Sequence, residues 1–378
     1  MKPTEFVKVN TQFWGDHLRS VSEHLPTSHR AELPGQLLYP RMMVLTETPD
    51  WNILELVGVS REYRSLEVRR QKANSIEEYF GIADGSPVVT LPGENLFKDA
   101  TVATEVGRHE LDARFPSARK MLGTEYVGAG DQLLRFAPGN YSTFERVLLV
   151  HSAGQSIQVH WTFIALAIHR SEPSDKYLNF LQNHLNAAPH LDPIGTLTAP
   201  QGLDLSGDAF ASTYLAHGLQ DATVEGFLTE HESILLSTFD ATRLIQRPFL
   251  EWRDGDAGDE AGITPDFILE RADGSHIVGD LKLPLLDTAD GKKRRRAFTT
   301  PVRDGAAQLA RYEEYFRTPE NRSFAQTKYG VDVTDPRKLL VIGTQQTVGA
   351  QEFKDASPAA VEIIDYDTIL RLHLAAKS

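Results

Sequence analysis

Apolar positions along the 378-residue chain fall into two rhythms. Between residues 144 and 168 they run almost without a break, as FERVLLV and IQVHWTFIALAI around SAGQS. That pattern predicts a β-hairpin, Phe144–Val150 with Ile157–Ile168, in which Trp161 is a core anchor. A helical rhythm follows, with Tyr177, Phe180, Leu181 and Leu185 along one face after Ser171-Glu172-Pro173-Ser174. The stretch 187–208 then gathers Pro, Gly and Asp and is the best linker candidate.

Beyond it the pattern is regular. Val224, Phe227, Leu228, His231, Ile234 and Leu235 mark a helix over 221–236. Residues 244–252 read as a strand interrupted by Pro248, hence an edge strand. Residues 266–271 and 276–283 form a second hairpin, 304–316 a helix, 338–343 (KLLVIG) a buried strand, and 363–366 a further strand before a C-terminal helix. Helix, three strands, helix, strand is the order of an α/β protein with helices around a mixed sheet. We expect an N-terminal α+β domain over 1–200 and a second domain over 209–378.

Composition narrows the chemistry. The chain is 41% hydrophobic and 24% charged, as ordinary globular proteins are. With no cysteine, disulfides, zinc knuckles and thiol nucleophiles are excluded. MKPTEFVKVN has no apolar signal core and the longest apolar run, Phe163–Ile168, is too short to span a bilayer, so a cytoplasmic protein without membrane contact is expected. There is no HExxH, P-loop, strand-linked GxGxxG or GxSxG elbow; Gly128-Ala129-Gly130 reads as a turn, and His184 and His190 as linker-border residues. The net charge of −13 argues against a general nucleic-acid coat, although a local basic site remains open at Lys292-Lys293-Arg294-Arg295-Arg296. Alone, that run reads as a solvated loop.

The second hairpin, ITPDFILERADGSHIVGDLKLP, carries Asp266, Asp280 and Lys282 among apolar residues. Asp280 and Lys282 are two apart and share a strand face. Where Asp266 points depends on the turn. A two-residue Asp273-Gly274 turn pairs it with Leu281 and splits the carboxylates between faces. A three-residue Ala272-Asp273-Gly274 loop, with Gly274 left-handed, pairs it with Asp280 at roughly 5 Å between Cβ atoms. We favour the latter. Two buried carboxylates so close repel each other, and a hard divalent ion such as Mg²⁺ or Mn²⁺ relieves this. Lys282 then holds a water or offsets phosphate charge, a set suited to phosphodiester hydrolysis. The competing reading is a solvated face with an ordinary ion pair.

Pro265-Asp266 followed by Asp280-Leu281-Lys282 resembles the PD-(D/E)xK nuclease superfamily, with Asp where many relatives have Glu. Gln308-Leu309-Ala310-Arg311-Tyr312 is similar to the Q-h-x-x-Y element of its exonuclease-like branches. Gln308 and Tyr312, four apart, share a helix face. Over 221–345 the chain more specifically resembles the Shedu family of anti-phage defence nucleases, through FLTEHESILL, PDFILE, GDLKLP, QLARY and KLLVIGT. The resemblance implies a PD-(D/E)xK fold, metal-dependent cutting or nicking of DNA, and a homo-oligomer, tetramers included. It also implies a further carboxylate from the preceding helix, for which Glu225 is chosen over Glu230 and Glu232. Against that background the basic run 292–296, between the hairpin and the QLARY helix, becomes a candidate DNA contact. The alternative is a nuclease fold that only binds DNA or acts as a scaffold.

Overall fold

The computed structural model describes residues 1–24, 36–37, 39–60, 63, 65–80, 88–90, 95–98, 101–102, 105–120, 126–127, 133–139, 141–187, 196–197, 209–210, 213–214, 221–253, 261–282, 299–343, 353 and 356–377. The basic run 292–296 and most of the linker 187–208 lie outside these residues.

The architecture is a mixed α/β fold built on a 13-stranded sheet with helices against it. Its strands are β1 (Tyr39–Glu47), β2 (Trp51–Ser60), β3 (Glu67–Lys72), β4 (Asn95–Lys98), β5 (Thr101–Val102), β6 (Tyr126–Val127), β7 (Tyr141–Ala153), β8 (Ser156–His169), β9 (Ala241–Gln246), β10 (Phe267–Arg271), β11 (His276–Leu281), β12 (Arg337–Val341) and β13 (Val361–Ile364). The helices used below are α1 (Pro3–His24), α2 (Glu105–Arg114), α3 (Ser174–Ala187), α4 (Asp221–Glu230), α5 (Ser233–Phe239), α6 (Thr299–Arg317), α7 (Pro319–Tyr329) and α8 (Tyr366–Lys377).

The continuous apolar runs of β7 and β8 make the long hairpin that the sequence predicts, turning at Gly154 with φ +60°. β8 is long enough to serve two neighbours on one edge. Its start, Ile157–Val159, pairs in parallel with β13, and its end, Ile164–His169, pairs antiparallel with β2. The order β9-β10-β11-β12-β13-β8-β7 therefore runs from the C-terminal half into the N-terminal half without a break. Side chains tie the same seam: Glu362 on β13 receives Arg337 at 2.7 Å and Arg114 of α2 at 3.5 Å. A separate N-terminal domain is thus not what the sheet displays.

Strand alternation sorts the C-terminal half into three layers. Phe267, Leu269, Ile277, Leu281, Leu339 and Val341 face the core that contains Val224, Leu228, Ile234, Leu235 and Ile369 from α4, α5 and α8. Ile268, Val278, Leu340 and Ile363 face Val302, Leu309, Tyr312 and Phe316 of α6. The single helix read over 221–236 is in fact two. At its break Ile234 donates to His231 O at 3.0 Å, a tighter three-residue closure. α5 ends at Asp240 in the left-handed conformation, φ 52°, its N–H returning to Leu236 O. The strand read over 244–252 is two: β9 stops before Pro248 and pairs with β10 alone among the described strands, an edge position, while Leu250–Glu251 pairs with Gly262–Ile263 in a separate two-stranded sheet. Among the described residues no helix is long and apolar enough to cross a membrane.

Candidate functional site

The β10–β11 turn has the three-residue form. Arg271 N donates to Ser275 O at 2.9 Å, Gly274 N donates to Arg271 O at 3.0 Å, and Gly274 sits at φ +78°. Asp273 Oδ1 accepts from Ser275 N at 2.9 Å and fixes the loop from outside. The register then runs Glu270 with His276, Leu269 with Ile277, Ile268 with Val278 and Phe267 with Gly279, which places Asp266 opposite Asp280. Gly279 is needed in that ladder, because a Cβ there would meet the Phe267 ring at 2.0 Å.

Pro265 explains why Asp266 turns inward. The next N–H on β11 facing β10 belongs to Leu281, but the ladder stops where proline has no donor to return. Asp266 Oδ2 accepts that freed Leu281 N–H at 2.6 Å. Its backbone carbonyl takes Arg247 N at 3.0 Å, anchoring the residue from the β9 side as well. Asp280 is 2% exposed and lies on the α6-facing side of β11. Lys282 Nζ stands 2.6 Å from Asp280 Oδ2 as an ion pair, yet that oxygen has no aligned hydrogen bond. Burial pushes the Asp280 carboxyl up to about 7; Lys282 pulls against this and Asp266 adds to it.

α6 supplies the opposite wall. Lys282 Nζ donates to Gln308 Oε1 at 3.0 Å, and Gln308 Nε2 donates to the Tyr312 hydroxyl. Tyr312 in turn donates to Thr264 O at 3.3 Å, one residue before Pro265. Burial, with the charge of Asp280 next in size, raises the Tyr312 phenol, so it keeps its proton. α6 can lie this close because of Gly305, where a Cβ would stand 2.6 Å from Leu340 Cδ1 and 3.4 Å from Lys282 Cε. A glycine inside a helix is destabilising by itself, and its packing role explains its presence. Beside this network a cleft of about 430 Å³ is lined by Gly262, Ile263, Thr264, Ala307, Gln308, Arg311 and Tyr312.

Asp266, Asp280, Lys282, Gln308 and Tyr312 are therefore brought together. Glu225 is not. Its carboxylate lies 3.0 Å from Arg247 Nε. Among the described residues no group of three or more His, Asp and Glu side chains is placed to hold a metal ion. The donor set is two carboxylates, with Asp266 offering the oxygen not bonded to Leu281 and Asp280 offering a buried, unaligned Oδ2. That set fits a hard cation that keeps several of its waters, as Mg²⁺ does, and not a closed zinc site.

Tyr366 is one contributor that sequence reading missed. Its hydroxyl donates to Lys282 O at 2.9 Å from the first turn of α8. No local pattern signals a contact across 84 residues. Comparison with protein-family models, with curated proteins and with solved structures yields no match.

Proposed function

We propose that this chain is a divalent-metal-dependent DNA endonuclease of the PD-(D/E)xK type, nicking or cutting DNA in a Shedu-like anti-phage role in the cytoplasm. One observation carries the reading: the three-residue turn sets Asp266 against Asp280 with Lys282 on the same face, bonded to Gln308 of α6. Asp266 and Asp280 would hold Mg²⁺ or Mn²⁺, which when bound supplies charge neutralisation to a phosphodiester. Lys282 orients the attacking water and offsets the charge that grows on the phosphate. Gln308 holds the Lys282 ammonium, and Tyr312, keeping its proton, holds Gln308 while bonded to Thr264 O. The basic run 292–296 is assigned to phosphate contact and the N-terminal region to recognition and restraint of the nuclease, in a homo-oligomer, a tetramer by the family resemblance.

The pairing of Asp280 with Lys282, and of Glu225 with Arg247, supports a second reading in which the fold binds DNA or acts as a scaffold without cutting. Incubation of supercoiled plasmid with Mg²⁺ or Mn²⁺ separates the two. Nicking by wild type that Asp280→Ala and Lys282→Ala both abolish supports the nuclease. Nicking that survives both substitutions refutes the site, and DNA binding without cleavage in either metal supports the second reading.

A further inference from the structure

Among the described strands β3 has a single neighbour. It pairs in parallel with β1, from Met42 with Glu67 to Glu47 with Lys72, and its other side is an open edge of the large sheet. Its side chains alternate between half-buried and exposed, and Val68, Arg70 and Lys72 share the exposed face. Val68 is 37% exposed, one of two large apolar side chains so exposed among the described residues. An open edge is a template for another strand, and proteins commonly guard it with charge. Here the polar side chains are turned inward. Arg70 Nη2 donates to Glu47 Oε1 at 2.7 Å, and on the opposite face Gln71 Nε2 donates to Thr46 Oγ1 at 2.8 Å. Both bonds run back to β1, away from the open side.

At the C-terminal end of β3 lies a cavity of about 630 Å³, where Lys72 and Asn74 face Glu47, Glu78 and Arg170. Its walls are fixed: Ala73 N donates to Glu47 O at 3.0 Å, and Trp51 N donates to Thr48 Oγ1 at 2.9 Å. Its acids already have partners, Glu47 in Arg70 and Glu78 in Asn74 N at 2.7 Å. Its cations have less. Lys72 makes no ion pair among the described residues. Arg170 reaches Glu47 Oε2 only at 4.0 Å, and its Nε is buried without a hydrogen bond. No aromatic ring among the described residues lines the cavity, so a nucleobase finds no stacking surface there. The cavity thus suits a small anion at the point where a strand added along β3 would end.

We propose that β3 and this cavity form a docking site for the C-terminal tail of a partner protein, added as a further strand with its terminal carboxylate held by Lys72 and Arg170. Strand addition draws affinity from main-chain hydrogen bonds and specificity from alternate side chains. The tail runs parallel to β3, because the cations lie at the C-terminal end of that strand. Its last residue then lies beside Lys72, the residue two earlier beside Arg70, and the residue four earlier beside Val68. The recognised chemistry is an apolar residue, an acid two residues later, and a free carboxylate two residues after that. This goes beyond the nuclease reading and does not depend on it.

The test titrates the full chain, by fluorescence anisotropy, into a labelled octapeptide that ends in alanine with a free carboxylate. Aspartate stands second and valine fourth before its last residue, and the same peptide with a C-terminal amide is the control. Amidation is expected to weaken binding about tenfold or more. Lys72→Ala weakens binding of the free acid by about tenfold and leaves the amide unchanged, which separates loss of the ammonium from loss of the fold. Lys72→Arg restores the difference between the two peptides, and Val68→Ser weakens both alike. Plasmid nicking stays as in wild type in all three variants, so failure here is distinct from failure of the nuclease reading. Equal binding of acid and amide by wild type, or a loss on amidation that persists in Lys72→Ala, overturns the carboxylate assignment. N-acetylalanine binding as tightly as the peptide shows an anion site without strand addition and overturns the docking edge. No saturable binding of the acid peptide to wild type overturns the whole proposal.

Discussion

Replacing Asp280 by asparagine should stabilise the metal-free protein while abolishing the proposed cleavage. Asp280 is 2% exposed, and its carboxyl is raised from an ordinary 3.8 to about 7. The folded state therefore holds the proton more tightly than the unfolded chain does. Stability on this account is full at low pH, falls as pH rises from about 4 to about 7, and is level above that. The raised value corresponds to at most roughly 4 kcal/mol at pH 8 and under about 2 kcal/mol at pH 5. Lys282 is already included, since its attraction is part of what sets the value. Asparagine mimics the neutral acid and removes the pH-dependent penalty. At about 2.1 cal/mol/K of unfolding entropy per residue, a 378-residue chain gives about 0.8 kcal/mol/K. The expected rise in Tm is then up to about 5 °C at pH 8 and about 2 °C at pH 5. Calorimetry of wild type and Asp280→Asn in EDTA at the two pH values is the measurement. A variant no more stable than wild type at pH 8, or one with the same gain at both pH values, refutes the argument that the two carboxylates meet in a buried site.

Three other outcomes follow from the same geometry. Adding Mg²⁺ to hundredfold above its Kd should stabilise wild type by about 2.7 kcal/mol and leave Asp280→Asn unmoved, as read by thermal shift; equal shifts in the two proteins would place the ion elsewhere. Gly279→Ala drives a Cβ to 2.0 Å from the Phe267 ring, so urea unfolding should show a loss of about 1–3 kcal/mol, with cleavage falling as the Asp266 strand is displaced. Gly274→Ala meets no atom within 4 Å but holds φ at +78°, so the loss there should be about 1 kcal/mol, with Gly274→Asn closer to wild type.

Much of the candidate site was legible in sequence because its geometry is local. Pro265 ends a ladder by lacking a donor, Gly274 permits a left-handed residue, and a period of two then sends Asp266, Asp280 and Lys282 to one face. Gln308 and Tyr312 needed only helical spacing. The hairpin of β7 and β8 was equally plain, since long apolar runs leave few other ways to bury themselves. None of this depends on residues far away in the chain.

Tertiary structure alone decided the rest. Arg247, just past the end of β9, pairs with Glu225 of α4, a contact that sequence spacing does not relate. Tyr366 reaches Lys282 O only after α8 packs against the sheet. The helix read as continuous over 221–236 breaks at His231 and Glu232, although both parts bury side chains in the same core, and periodicity does not register the break. The largest such decision is the seam at β13 and β8, where parallel pairing of Val361–Ile364 with a distant strand joins the two halves into one sheet. Hydrogen bonding and alternation within a hairpin act over a few residues and are written in them. Which strand lies beside which, and which charge finds which partner, is settled by packing between segments that sequence spacing does not relate.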